Sequence, residues 1–397
     1  MKPHSILFQE GYFFIHGEFQ LCDLKVQEGI ITEISPHLTS SKTDFIVNLK
    51  GLFVLPGLIN AHDHLEFNLF PKLGNPPYRN YVEWTHDVRS NFEHIAQEVL
   101  KVPLKFRLLW GAYKNIFSGV TTVLHHNDFY RHFYFNFPVE VFKNYRWAHS
   151  LELDPDLLKK IRTLNGKPFV VHLAEGTDEL AQHELSKLYQ IGGLTQHTIL
   201  IHGIGLTDND IKLIVNAKSG LVWCPSSNYF LFGKTAPIEK LLGRVPVALG
   251  TDSAISGGTS LFDEIRLAKS LKNLEAVKLI EMVTSIPAAM LNINKGTINV
   301  GASAEFLVFN PNSSTPIDSI LYLAPSKINC LVKNGFPLYG DVSFTNYFKI
   351  SRKPYYRIIV DSKEKLISGN LPQVISIIKR FFPSYSVKNL GVKELIL

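Results

Sequence analysis

The chain has 397 residues, 45% of them apolar and 19% charged, with a formal net charge of +6 at neutral pH. That is enough chain for one large domain plus a smaller one, and too apolar for a disordered protein. Lys and Arg are scattered and no apolar run reaches membrane-spanning length, so neither a nucleic-acid partner nor a membrane partner is expected.

The N-terminal Met1-Lys2-Pro3-His4-Ser5 leads into strand-like sequence rather than a signal peptide. Residues 5–55 then read as short strands at 5–8, 12–15, 24–26, 30–34 and 45–47, punctuated by Gly11, Gly17, Gly29 and Pro36. The next run, Val54-Leu55-Pro56-Gly57-Leu58-Ile59-Asn60-Ala61-His62-Asp63-His64, carries an apolar strand straight into two histidines. Side chains at i and i+2 share one face of a strand, so both imidazoles converge on one point, as half of a metal site. A Pro-rich stretch with Pro71, Pro76 and Pro77 follows, then a helix expected over residues 81–116. A strand at 119–124 runs into His125-His126. Only about 43 residues separate His126 from Phe169, and the strand candidates there, 137–142 and 145–151, lie too close for a crossover helix between them.

Three further apolar runs each end in a polar residue. Phe169-Val170-Val171-His172 precedes Leu173-Ala174-Glu175, Thr198-Ile199-Leu200-Ile201-His202 precedes Gly203, and Val247-Ala248-Leu249-Gly250-Thr251-Asp252 precedes Ser253. Strands apolar throughout are buried on both faces, as in a parallel α/β sheet. Polar residues at their C-terminal ends sit where α/β barrels place chemistry. His172 to His202 is about one βα unit of an eight-stranded barrel, and His202 to Asp252 nearly two, with a strand at 221–224 between. These ends become the fifth to eighth strands and His62 and His64 close the first, next to the eighth. Beyond the barrel, 297–340 has the short-strand texture of 5–55. Residues 341–397 begin aromatic and basic and contain a helix expected at 371–382, started by Pro372 and stopped before Pro383. They are expected as a packed appendage, with an oligomer contact or a site wall as alternatives. Cys22, Cys224 and Cys330 are far apart and odd in number, which excludes a disulfide framework and a thiolate metal site and gives cytoplasmic as the expected location.

In these segments the chain resembles the amidohydrolase superfamily, within the branch holding cytosine, guanine and S-adenosylhomocysteine deaminases and triazine hydrolases. The matching motifs are PGLINAHDH at 56–64, SGVTT at 118–122, HLAEG at 172–176, IHG at 201–203, CPSSN at 224–228 and GTDS at 250–253. Segments 285–291, 295–298 and 301–306 resemble the family's exit from the barrel. The resemblance is collinear over roughly residues 5–340. It implies a (β/α)8 TIM-type barrel over 56–296, irregular in its first half, flanked by a β-sandwich formed by 1–55 and 297–340, with 341–397 as an extension.

The resemblance also implies a site. His62, His64, His172 and Asp252 are the expected ligands of one divalent ion, zinc first and iron second. Glu175 is the expected proton shuttle, His202 the group that hydrogen-bonds the attacking water or the developing charge, and Asp252 a second acceptor for the water's proton. A bridging lysine, usual in two-metal relatives, has no counterpart within the strand candidates, although Lys143 lies between them. His125, His126, Asn228, Trp84, Tyr229 and Phe230 are candidates for substrate contact, and His125 and His126 also for a second ion. The expected activity is hydrolytic deamination of a small heterocycle. A cyclic amide or lactam hydrolase and a silent scaffold are the alternatives, and a homo-oligomer is left open.

Overall fold

The structure is a computed structural model that describes residues 5–313, 315–351 and 353–397. The reading of the N-terminus falls partly on residues 1–4, outside the described residues. Two β assemblies are joined through Gly57. The first is an eleven-stranded sheet built from both ends of the chain. The Phe53–Pro56 strand pairs antiparallel with Phe306–Phe309 and parallel with Ser5–Ile15, so the N- and C-terminal segments share one ladder. One face of this sheet buries its own core, in which Phe8, Phe13 and Tyr347 meet Phe306 or each other edge to face.

The tail continues the same sheet. Lys363–Ser368 pairs with Phe336–Asp341, and Tyr355–Val360 pairs with Lys363–Ser368. The following helix, Leu371–Phe381, buries Leu371, Val374, Ile375 and Ile378. Further on, Asn389 Nδ2 donates to the carbonyls of Leu69 and Phe70 at 3.3 and 2.8 Å, which ties the end of the chain to the segment just after His64.

The second assembly is the barrel, with parallel strands Leu58–Asp63, Val120–His125, Glu140–Val141, Arg146–Ala148, Phe169–Leu173, Thr198–His202, Gly220–Trp223 and Val247–Leu249. They form a three-stranded and a five-stranded parallel sheet. Alternation sorts the residues. Val170, Ile199, Ile201, Val222 and Ala248 form one cluster, while Phe169, Val171, Leu200, Leu221 and Val247 join the larger core. Closure joins the first and eighth strands: the Thr251 and Asp252 amides donate to the His62 carbonyl at 3.0 and 3.1 Å. A Cβ on Gly250 would stand 2.7 Å from the His62 Cβ, so glycine is what lets the two strands come this close.

The first half departs from a regular barrel. Glu140–Val141 pairs with the Val120–His125 strand, and Arg146–Ala148 pairs with Phe169–Leu173. Both lie in one nine-residue segment, and only a turn at Lys143–Tyr145 separates them. The strands expected at 137–142 and 145–151 are thus shortened to the residues that find a neighbour. The single helix expected over 81–116 is three helices, Tyr81–Asn91, Glu93–Leu100 and Leu104–Phe117. The first break falls at Phe92, and the third helix starts after Pro103, whose ring would not fit a helix interior. No helix among the described residues is long and apolar enough to cross a membrane.

Candidate metal centre

His62 lies near the end of the first barrel strand, His64 one residue past it, His172 near the end of the fifth, and Asp252 three residues past the eighth. Their ligand atoms meet at one point. His62 Nε2 is 3.3 Å from His172 Nε2, and His172 Nε2 is 3.4 Å from His64 Nε2. Both His62 Nε2 and His64 Nε2 lie 3.6 Å from Asp252 Oδ1. A tetrahedron with metal–ligand bonds of about 2.0–2.2 Å has edges of about 3.3–3.6 Å, and these four donor–donor distances fall in that range, as a zinc-sized ion requires. The chemistry fits as well. His172 Nδ1 lies 2.6 Å from the His149 carbonyl, which can only accept, so its proton is there and Nε2 is a bare lone pair. Ser227 and Ser256 hydroxyls donate to Asp252 Oδ2 at 2.7 and 2.6 Å, leaving Oδ1 for the ligand cluster. Burial, helped by the neighbouring imidazoles, pushes His64 and His172 well below the usual histidine range. Burial alone would raise Asp252, but the contacts from His62, His64 and His202 outweigh it and hold the carboxyl low.

Glu175 and His202 stand beside this cluster. His202 Nε2 is 3.7 Å from Glu175 Oε1, and its Nδ1 is 2.9 Å from Asn228 Oδ1. The Asn228 amide nitrogen and the Trp223 indole both donate to Thr235 Oγ1, which orients the Asn228 oxygen toward His202. Burial, with Asp252 and Glu184 adding, pushes the Glu175 carboxyl well above its usual range. Burial takes His202 down to about 4. Two carboxyl groups in one site are thereby driven apart, one toward the acid and one toward the anion. Ala174, His202 and Asp252 all have positive φ, at 50°, 74° and 54°. Left-handed backbone is costly for these residues, and here it turns each strand end sharply at the site.

Behind the cluster lies a buried polar network. Lys114 Nζ reaches Asp63 Oδ2 at 3.3 Å, Asn68 Oδ1 at 2.8 Å and Thr251 Oγ1 at 2.9 Å. Asn60 and Asn115 both donate to Asp63 Oδ2, and Asn60 also donates to Thr251. This joins the first strand, the Leu104–Phe117 helix and the end of the eighth strand around one ion pair. Removing one partner of a buried pair strands the other charge, at a cost of about 3–5 kcal/mol. Lys114→Met should therefore lower unfolding stability by about that much, measured by urea denaturation, and adding Asp63→Asn should restore part of it. A double-variant loss equal to the sum of the Lys114→Met and Asp63→Asn losses would show that the pair is not coupled.

Several sequence candidates stand elsewhere than expected. His126 is buried behind His62, with Nδ1 3.3 Å from His62 Nδ1 and Nε2 2.9 Å from the Ala148 carbonyl, so it does not face a substrate. His125 accepts from the Leu65 amide at 3.3 Å and faces Glu66, with Nε2 and Oε2 3.7 Å apart, away from the ligand cluster. Trp84 donates its indole N–H to the Leu73 carbonyl and packs with Tyr78 and Phe230 against Ile204, Leu231 and Phe232. Tyr229 is exposed. Lys143 is exposed, its ammonium 4.5 Å from the Tyr134 ring, and bridges no metal pair. Cys224 is buried and free, directly after the seventh strand. Sequence reading missed His149, which follows the Arg146–Ala148 strand with its ring 5.1 Å from that of His172. The signal was present, since it is one more histidine after a barrel strand, but that strand is only three residues long. It also missed Ser227 and Ser256, whose hydroxyls announce nothing in sequence.

An amidohydrolase family model matches residues 148–336. A 5-methylthioadenosine/S-adenosylhomocysteine deaminase of Thermococcus sibiricus is 26% identical, covering 80% of this chain and 88% of that protein. A 5'-deoxyadenosine deaminase of Methanosphaera stadtmanae is 23% identical over 82% of this chain and 92% of that one. Among solved structures, a zinc-bound adenosine deaminase from Xanthomonas campestris aligns with a TM-score of 0.69 at 18% identity, over 95% of this chain and 97% of the other. The zinc complex of atrazine chlorohydrolase from Arthrobacter aurescens aligns with a TM-score of 0.74 at 16% identity, over 95% and 100% of the two chains. Fold, motif order and sequence relatives are each similar to those of amidohydrolases.

Proposed function

We propose that the chain is a metal-dependent hydrolase of carbon–nitrogen bonds that deaminates a heterocycle, with adenine nucleosides as the first substrate class. The observation that carries this reading is the convergence of three imidazoles and a carboxylate, with neighbouring donors 3.3–3.6 Å apart, beside Glu175 and His202. His62, His64, His172 and Asp252 would hold one divalent ion, with zinc as the first choice for an imidazole–carboxylate set. Bound there, the ion supplies Lewis acidity that makes water a competent nucleophile near neutral pH.

The chain's own groups do the rest. Water oxygen bonds to the ring carbon, the bond from that carbon to its amino nitrogen breaks, and ammonia leaves. Glu175, raised by burial, takes a proton from the attacking water and delivers it to the ring or leaving nitrogen. His202, anchored by Asn228, hydrogen-bonds the reacting atoms from the side facing Glu175. The deaminases of adenine nucleosides among the relatives favour that class over triazines and pyrimidines. A small-molecule substrate also fits a site built at strand ends in a barrel mouth. Three buried, unpaired cysteines suit a reducing compartment, which supports the expected cytoplasmic location.

Ammonia release from zinc-loaded protein tests the reading. The panel contains adenosine, 5'-deoxyadenosine, methylthioadenosine and S-adenosylhomocysteine, with cytosine, guanine, a triazine and a cyclic amide as comparators. Ammonia from an adenine nucleoside, with the corresponding hypoxanthine nucleoside in equal amount, is the expected result. Ring opening of the cyclic amide with no ammonia from any nucleobase would overturn deamination in favour of amide hydrolysis.

A further inference from the structure

We propose that His126 is a positioning residue that locks His62 into the tautomer presenting a bare Nε2 to the ion, an inference that rests on the metal reading above. His126 is a candidate that the catalytic scheme leaves unused. It is buried, and among the described residues no carboxylate forms an ion pair with it. A cation there would face imidazoles on several sides, with ring centres of His62, His64 and His172 within 5.5 Å. The ring is therefore neutral and carries one proton.

Geometry says where that proton is. His126 Nε2 sits 2.9 Å from the Ala148 carbonyl oxygen, which has only lone pairs to offer. The proton is on Nε2, so His126 Nδ1 is an acceptor. It faces His62 Nδ1 at 3.3 Å, and that contact is a hydrogen bond only if His62 Nδ1 carries the proton. A neutral His62 protonated at Nδ1 has its lone pair at Nε2, the atom 3.3 Å from His172 Nε2 and 3.6 Å from Asp252 Oδ1. The relay thus runs from a backbone carbonyl through one imidazole to another. His172 is fixed in the same sense directly, by the His149 carbonyl. Partners of this kind fix ligand orientation and are worth about 10- to 100-fold in metal affinity.

A competing role is that of ligand to a second ion, since His62, His126 and His172 lie close enough to offer one. The ring arrangement speaks against it. His126 lies flat on His172, with centres 4.1 Å apart and planes 9° apart. In that position its Nδ1 already faces His62 Nδ1 at 3.3 Å, so that lone pair is used within the stack. The Ala148 carbonyl already takes the other nitrogen.

Zinc affinity of chelator-stripped full-length protein, measured by competition with a chromophoric chelator, tests the proposal in His126→Asn, His126→Gln and His126→Phe. An Asn oxygen can sit where His126 Nδ1 is and accept from His62. A Gln amide can reach Ala148 but places no acceptor at Nδ1, and Phe keeps only the ring. The expected result is His126→Asn within a few-fold of wild type, and about 10- to 100-fold weaker binding in the other two, all at one zinc per chain. In zinc-loaded wild type, long-range 1H–15N spectra should show His62 protonated at Nδ1 and His126 at Nε2. A His126 proton on Nδ1 overturns the proposal without any variant. So does wild-type affinity in His126→Gln and His126→Phe, or Asn ranking no better than Phe. Two zinc ions per wild-type chain, falling to one in all three variants, assigns His126 as a ligand instead. Wild-type protein that binds no zinc overturns the metal reading, and this inference with it.

Discussion

His62→Ala and Asp252→Ala should each lose tightly bound metal and nearly all turnover while the protein stays folded. Each removes one of four donors that stand 3.3–3.6 Å from their neighbours in the cluster. An ion held there would lower the pKa of water towards neutrality, so losing it should lower turnover by at least about 10³-fold. The fold should survive, because barrel closure at this point is made by main chain. The His62 carbonyl accepts from the Thr251 and Asp252 amides, and truncating either side chain leaves those bonds in place. Zinc content after gel filtration, with a thermal melt of the metal-stripped forms, checks both halves. Full zinc retention in both variants would sink the ligand assignment. Coincident loss of zinc and of the folded transition in the stripped forms would make the defect one of folding.

The parts of the site that were legible in sequence share a cause. His172, His202 and Asp252 each follow an apolar run buried on both faces, and a polar side chain there stands out against its surroundings. His62 and His64 stand out by spacing. Lys114 had no such contrast. A lysine in an amphipathic helix reads as surface, and it is buried only because Asp63, 51 residues away in sequence, waits under the first strand. His125 and His126 were ambiguous for a different reason. Adjacent residues at a strand end point to opposite sides, and sequence does not say which side a turning chain gives to which. Here one faces Glu66 and the other faces His62.

The fold divides in the same way. Periodicity located the barrel strands from 169 to 249 because each runs from a turn through a continuous apolar stretch. The segment 140–148 mixes aromatic and polar residues, and its two short strands exist only through different neighbours, one on each side. The tail strands were equally hidden. Tyr355–Val360 and Lys363–Ser368 need Phe336–Asp341 as a ladder, and an edge waiting for partners leaves no mark in its own sequence. Pairing of this kind belongs to the assembled sheet rather than to any window of residues.

Glu175→Gln should separate proton transfer from metal binding. Glu175 lies three residues past His172, with its carboxyl near His202 Nε2, and it belongs to neither group of residues close enough to share an ion. Gln keeps the size and the hydrogen-bonding capacity and removes the acid–base function. General acid–base catalysis is worth about 10²- to 10⁴-fold, so turnover of the substrate found in the panel should fall by that order with zinc content unchanged. The fold should hold or gain slightly, because a neutral amide replaces a carboxyl that burial, Asp252 and Glu184 already disfavour as an anion. The sign follows from that raised carboxyl. A group whose folded pKa lies above its unfolded value adds stability at low pH and loses it as pH rises through the folded value, so Gln should gain most over Glu on the alkaline side. If Glu175→Gln instead loses zinc, Glu175 is a ligand and Asp252 becomes the first candidate for the proton carrier. If it keeps near-normal turnover, the proton travels by another route, and His202, whose Nε2 lies 3.7 Å from the Glu175 carboxyl, is the residue to replace next.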